Sequence, residues 1–174
     1  MVQVPFVDLR TGHQALQQEL DEALRGVMAR GDFVLGRDVD AFEEEFAAYC
    51  GSPFAVGVDN GLSALELGLR AFGIGPGDEV IVPSHTFIAT AAAVTFAGAT
   101  PVLVDVEPHT YNIDVSHAEA AITPRTRAII PVHIYGLPAD MGAIMQLAGK
   151  HGLVVLEDAS QAHGAAYKGE RVGC

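Results

Sequence analysis

The chain opens with two segments whose apolar residues recur at helical spacing. The first covers Gln14–Arg30 and stops at Gly31, and the second covers Asp38–Cys50 and stops at Gly51. The apolar positions are Leu16, Leu20, Leu24, Val27 and Met28 in the first segment, and Val39, Phe42, Phe46 and Tyr49 in the second. We therefore predict an N-terminal helical arm over residues 1–51.

After Gly51 the pattern changes to short, continuous apolar runs rich in Val and Ile. Runs of this kind are typical of parallel strands that are covered on both faces. They are Phe54–Val58, Val80–Val82, Val102–Val104, Ala128–Val132 and Leu153–Leu156, and the helical segments between them are Leu62–Phe72, Thr86–Ala97, Ser116–Ile122 and Met141–Lys150. Alternating strands and helices predict an α/β fold over residues 52–174, a mostly parallel sheet with helices on both faces.

Charge and composition limit the partners and the compartment. The formal net charge is -12, and an acidic surface repels nucleic acid and anionic membranes. The uncharged stretch Ile81–Val104 contains Pro83, Gly98 and Pro101, which fits a buried strand–helix–strand passage better than a membrane span. Two distant cysteines, no zinc spacing and no visible signal peptide favour a reducing cytoplasm and no metal site.

Ligands of open parallel sheets bind beyond the carboxyl ends of the strands, so the residues that follow each run are the candidates. Asp59–Ser63 passes directly from a predicted strand into a helix. Gly61 allows a close backbone approach, and free N–H groups at a helix start favour a phosphate. The alternative is an ordinary helix start that is capped by Asn60 or Asp59.

Glu157 and Asp158 follow the last apolar run. A carboxylate there is able to keep a heterocyclic nitrogen protonated, and a protonated pyridine ring is the electron sink of pyridoxal chemistry. Gln161 lies in the same turn, within reach of a ring hydroxyl. The alternative is a carboxylate that caps a helix beginning at Ala159. Phe87 stands at the same edge and would stack on a flat ring, although a core position is the default for an isolated Phe.

Other polar residues and motifs carry less weight. For His85, His133 and Tyr135 we expect hydrogen-bonded structural roles. Gly73–Asp78 is rich in glycine, but it follows a helix and lacks the order of a dinucleotide-binding loop, which argues against a nicotinamide-binding domain.

Read together, these segments resemble the DegT/StrS-type sugar aminotransferases, which are fold-type-I pyridoxal-phosphate (PLP) enzymes. The matching stretches run in the family's order and cover nearly the whole chain: 59–65, 73–82, 83–90, 131–136 and 157–164. The resemblance implies the incomplete large domain of such an enzyme. It also implies a homodimer that moves an amino group from an amino acid to a keto sugar attached to a nucleotide.

The resemblance also implies residue roles. Gly61, Leu62 and Ser63 would contact the cofactor phosphate, with backbone N–H in place of a hydroxyl at Leu62. Phe87 would stack on the pyridine ring, Asp158 would pair with the ring nitrogen, and Gln161 with the ring hydroxyl.

No catalytic residue is assigned within the 174 residues. In the family, the Schiff-base lysine follows about a dozen residues beyond the position of Cys174. The lysines present, Lys150 and Lys168, stand at a helix end and in a predicted turn. We expect these 174 residues alone to be inactive, and poorly folded or self-associating, because Phe54–Val58 would lack its neighbouring strands. The alternatives are a PLP-dependent sugar dehydratase of the same fold and a non-catalytic binding or regulatory protein.

Overall fold

The structure is a computed structural model that describes residues 4–173. The helices are α1 Arg10–Arg30, α2 Arg37–Cys50, α3 Gly61–Ala71, α4 Ile88–Phe96, α5 Val115–Ala120 and α6 Met141–His151. The strands are β1 Glu79–Pro83, β2 Thr100–Val104, β3 Thr126–Ile129, β4 Val154–Val155, β5 Ala166–Tyr167 and β6 Glu170–Arg171, and a 3-10 turn covers Ile134–Gly136.

Four strands form a parallel sheet in the order β2-β1-β3-β4. In β1, Val80 pairs with Pro101 on one side and with Ala128 on the other, so β1 is a central strand buried on both faces. The α/β fold with a parallel sheet is confirmed. The small antiparallel pair β5–β6 lies outside this sheet.

Side chains of β1 alternate between two hydrophobic clusters, as the pleat of a strand requires. Val80 and Val82 pack with residues of α3 and α4, including Leu69 and Val94. Ile81 packs on the opposite face with residues of α5 and α6, including Ile144. Helices therefore cover both faces of the sheet, as the sequence predicts.

The helix ends follow local chemistry. Asp140 caps α6 by accepting a hydrogen bond from the N–H of Ala143 at 3.2 Å, and Gly152 ends the helix in the left-handed conformation at φ 66°. Helix α1 has no buried residue, and Leu24 and Met28 are exposed. The division between an arm at 1–51 and a domain at 52–174 stays a prediction.

One of the five strand predictions is wrong. Phe54–Val58 forms no strand among the described residues, and Phe54 is 82% exposed. Its apolar residues have the right composition, but a strand also requires a neighbouring backbone to complete its hydrogen bonds. The segment is held instead by the side chain of Glu43, which accepts a hydrogen bond from the N–H of Gly57 at 2.6 Å.

Candidate active site at the carboxyl edge of the sheet

A cavity of about 520 Å³ opens at the carboxyl ends of the strands. It is lined by the start of α3, the start of α4 and the segments that follow β3 and β4. Five of the six predicted site residues line it: Gly61, Leu62, Phe87, Asp158 and Gln161. The apolar walls and a few convergent polar groups are typical of small-molecule sites.

The backbone of Asp158 is fixed by an extension of the β3–β4 pairing. Asp158 donates its N–H to the carbonyl of Pro131 at 2.9 Å, and its own carbonyl accepts the N–H of His133 at 3.0 Å. A parallel bridge joins Val132 to Asp158. The rigid sheet thus sets the position of this carboxylate, and the alternative of a cap on a helix at Ala159 is wrong, because no helix begins there.

Asp158 is 8% exposed, and its carboxylate accepts hydrogen bonds from two hydroxyl groups and one backbone N–H. Its Oδ2 accepts a hydrogen bond from Thr90 Oγ1 at 2.8 Å. Its Oδ1 accepts hydrogen bonds from Ser160 Oγ at 2.7 Å and from the Ser160 N–H at 3.2 Å. A buried charge requires such partners, and the roles of Thr90 and Ser160 were not predicted from the sequence.

At the other end of the cavity, α3 begins at Gly61. Asn60 Oδ1 accepts the N–H of Ser63 at 3.0 Å, so Asn60 is the N-cap, as the alternative interpretation of this segment proposed. The N–H groups of Gly61 and Leu62 have no protein acceptor among the described residues, and an anion fits there. Ser63 is not among the residues that line the cavity, and its N–H is bonded to the cap.

The two ends of the cavity are linked through Ser160. A Cβ added to Gly61 would lie 3.3 Å from Ser160 Oγ, and the same hydroxyl is bonded to Asp158. The glycine and the carboxylate are therefore close enough for a single small molecule to contact both.

Phe87 is 72% exposed and immediately precedes α4. The default expectation that Phe87 belongs to the core is therefore wrong, since its ring is available at the cavity wall. Gln161 is exposed in the turn that follows Asp158.

His133 is fully buried and has a structural role, as expected. Its Nδ1 accepts the N–H of Ala139 at 3.0 Å, so its Nε2 carries the proton and donates to Glu157 Oε2 at 2.8 Å. Glu157 Oε2 also accepts the N–H of Gly173 at 2.9 Å. Burial raises the pKa of Glu157, but the contacts with His133 and with the Gly173 N–H together lower it by more, and the net pKa lies below its ordinary value.

An aromatic cluster lies next to the cavity, at the ends of β1, β2 and β3. His85 Nε2 is 3.0 Å from the hydroxyl of Tyr135, and Tyr111 contacts both rings. Tyr111 and Tyr135 adopt positive φ angles of 60° and 56°. Left-handed backbone costs energy for bulky residues, and here the strain is at the edge that carries the candidate site.

Neither lysine lines the cavity. Lys150 near the end of α6 forms an ion pair with Glu119 at 2.5 Å. Lys168 lies in the turn between β5 and β6, with its Nζ 4.9 Å from the ring centre of Tyr167. Across residues 4–173 no group of three or more His, Cys, Asp or Glu side chains is gathered for a metal ion. No helix in the same range is long and apolar enough to cross a membrane.

The structure is an α/β protein with a cavity at the carboxyl edge of its parallel sheet, lined by a buried carboxylate and by the start of a helix. The model of the DegT/DnrJ/EryC1/StrS aminotransferase family matches residues 14–174. The chain belongs to this family.

Individual relatives agree with the family match. The chain is 55% identical over 172 residues to dTDP-3-amino-3,4,6-trideoxy-alpha-D-glucose transaminase of Streptomyces venezuelae, covering 98% of this chain and 45% of that protein. The crystal structure of DesV from S. venezuelae superposes on this structure with a TM-score of 0.97 at 53% identity, and the match covers 100% of this chain and 47% of the DesV chain. The PMP form of the putative sugar aminotransferase Spr1654 from Streptococcus pneumoniae gives a TM-score of 0.86 at 32% identity, covering 99% and 46%. The chain spans about half the length of these relatives.

Proposed function

We propose that this chain forms part of a PLP-dependent aminotransferase that transfers an amino group from an amino acid to a keto sugar attached to a nucleotide. One observation carries the proposal. The carboxylate of Asp158 and the free N–H groups at the start of α3 line the same cavity. The dTDP-sugar named in the S. venezuelae relative supports the substrate class.

The residues present fit the cofactor. Asp158 would hold the protonated ring nitrogen, because an adjacent negative charge favours the protonated form of a pyridine. The N–H groups of Gly61 and Leu62 would bind the phosphate, with Ser63 at the same helix end. Phe87 would cover one face of the ring, and Gln161 would reach the ring hydroxyl. When bound, PLP supplies an electron sink that stabilises negative charge at the carbon that carries the amino group.

The chain's own contribution is orientation and charge. The β3–β4 pairing fixes the backbone of Asp158, and two hydroxyl groups hold its side chain. The start of α3 orients the opposite end of the ligand through backbone donors, which need no reorganisation when an anion binds. Amino-group transfer by the 174 residues alone is not expected, because Lys150 and Lys168 lie away from the cavity.

The test of the function uses the longest polypeptide that the coding sequence specifies. The protein is incubated with PLP, glutamate and a panel of dTDP- and UDP-linked keto sugars, and mass spectrometry detects the amino-sugar product. The proposal predicts product from at least one keto sugar with the natural sequence, and none with Asp158→Asn. Tight binding of the cofactor without product from any keto sugar of the panel would favour a non-catalytic binding protein.

We further propose that the whole protein is a cytoplasmic homodimer. Apolar side chains such as Leu24, Met28 and Phe54 are exposed, which is unfavourable unless another surface covers them. Two cysteines are too few for a disulfide scaffold, which suits a reducing compartment. Sedimentation equilibrium of the longest encoded polypeptide tests the dimer, and a monomer at micromolar concentration would contradict it.

A further inference from the structure

The two oxygens of the Asp158 carboxylate have different environments. Oδ1 accepts two hydrogen bonds, from the Oγ and the N–H of Ser160. Oδ2 accepts one, from Thr90 Oγ1 at 2.8 Å. Since each carboxylate oxygen has about two lone-pair sites, Oδ1 is saturated and Oδ2 keeps one site. The remaining acceptor site of this carboxylate is therefore on the oxygen that Thr90 contacts.

Thr90 is held in its own place by a second hydroxyl. Its Oγ1 lies 2.9 Å from Thr86 Oγ1. A hydroxyl has one proton, and Thr90 gives that proton to Asp158, so Thr86 must be the donor in the contact between the two threonines. A directed chain of hydroxyl groups thus runs from Thr86 through Thr90 to the carboxylate, and such chains polarise one another.

The ordinary explanation of a helical threonine does not fit Thr90. Threonines in helices commonly donate to the carbonyl four residues earlier, as Thr95 of the same helix does to Ala91 at 3.3 Å. Thr90 is fully buried and instead reaches across to the segment after β4. Helix α4 follows Phe87 directly, so one rigid element carries both the ring-covering side chain and the hydroxyl that orients the carboxylate.

We propose that Thr90 is a positioning residue that turns the Asp158 carboxylate so that Oδ2 faces the ring nitrogen of the bound cofactor. The inference rests on the proposed function and adds a residue to it. Thr90 does not itself contact the ring nitrogen. Its effect is transmitted through Asp158 alone, and this feature makes the inference separable from the proposed function.

The probe is pyridoxamine 5'-phosphate (PMP) labelled with ¹⁵N in the ring, because PMP requires no lysine. Calorimetry gives its affinity, and the ¹⁵N chemical shift gives the pH at which the ring nitrogen loses its proton. Thr90→Val keeps the shape and removes the hydroxyl, and Thr90→Ala serves if the valine variant does not fold. Thr90→Ser keeps the hydroxyl, and Thr95→Val on the same helix is the matched control. All are made in the longest encoded polypeptide, with circular dichroism to verify folding.

Thr90→Val and Thr90→Ala each remove one hydrogen bond to a charged group, so we expect both variants to bind PMP about tenfold more weakly. The ring nitrogen of the bound PMP should also lose its proton at a lower pH. Thr90→Ser and Thr95→Val should behave like the natural sequence. In an Asp158→Asn background, Thr90→Val should not lower the affinity for PMP further, because Thr90 acts only through the Asp158 carboxylate.

The outcomes separate the two claims. PMP binding that depends on Asp158 but is unchanged in both Thr90 variants, with unchanged ring titration, overturns the role of Thr90 alone. An equal loss from Thr90→Val in the natural and Asp158→Asn backgrounds also overturns it. No PMP binding by the natural sequence overturns the proposed cofactor and this inference together.

Discussion

Replacement of Asp158 by Asn tests the electrostatic part of the site. The change keeps the shape of the side chain, removes the negative charge and replaces one of the two acceptor oxygens, which bond Thr90 and Ser160, by an NH2 donor. A hydrogen bond to a charged partner contributes about 1.5–3 kcal/mol, and each 1.4 kcal/mol is a factor of about ten. Because the carboxylate is only 8% exposed, water cannot replace it, and we expect PMP to bind about 10- to 150-fold more weakly.

The assay is calorimetric titration with PMP, accompanied by thermal unfolding followed by circular dichroism. Asp105→Asn is the matched control, since Asp105 follows β2 at the same sheet edge, is exposed and carries the same charge. Equal losses of affinity in the two variants would show that overall charge, rather than the Asp158 contact, governs binding. Unchanged affinity in a folded Asp158→Asn variant would refute the assignment of Asp158 to the ring nitrogen.

Three further predictions concern the rest of the site. Gly61→Ala would place a Cβ 3.3 Å from the hydroxyl of Ser160. Calorimetry should therefore show weaker binding of PMP but little change in the binding of unphosphorylated pyridoxamine. Gly149→Ala, which has open space around its Cβ, should change the affinity for neither ligand. Phe87→Ala removes ring stacking and should weaken PMP about 2- to 12-fold without lowering the melting temperature, whereas Phe96→Ala at the other end of the helix should leave affinity unchanged. Glu157 has a lowered pKa when folded, so its stabilising effect is present above the ordinary carboxyl pKa and is lost as pH falls towards the lowered value. We therefore expect Glu157→Gln to have a lower free energy of unfolding in urea than the natural sequence at about pH 6. Between about pH 6 and about pH 3 this free energy should fall less in the variant than in the natural sequence, and an unchanged pH dependence would contradict this.

The fold was largely predictable because its strands are short, continuous apolar runs, of which the central strand β1 is buried on both faces. Val80–Val82 and Val102–Val104 are recognisable as continuous apolar runs, and both form strands. Phe54–Val58 has the same composition and forms none. Apolar periodicity reports which residues prefer a pleated, buried environment, but not whether a neighbouring strand is present to complete the ladder.

The site was predictable where function depends on position along a strand. Asp158 follows the apolar run that contains β4, so the carboxyl-edge rule predicts its position. Gly61 was predicted from a strand at Phe54–Val58 that does not form, and it reaches the same cavity as the first residue of α3. Thr90 was missed because its partner lies 68 residues away in sequence. One signal was available: a hydroxyl within the apolar, alanine-rich stretch of α4 has to find a polar partner if it is buried. The sequence pattern does not reveal which partner it finds.

The most direct test of the central claim is a crystal structure of the longest encoded polypeptide with bound PMP. The account predicts the ring nitrogen within about 2.7–3.2 Å of Asp158 Oδ2, and the phosphate oxygens at the N–H groups of Gly61 and Leu62. A ring nitrogen directed away from Asp158, or a phosphate bound elsewhere than the start of α3, would contradict it.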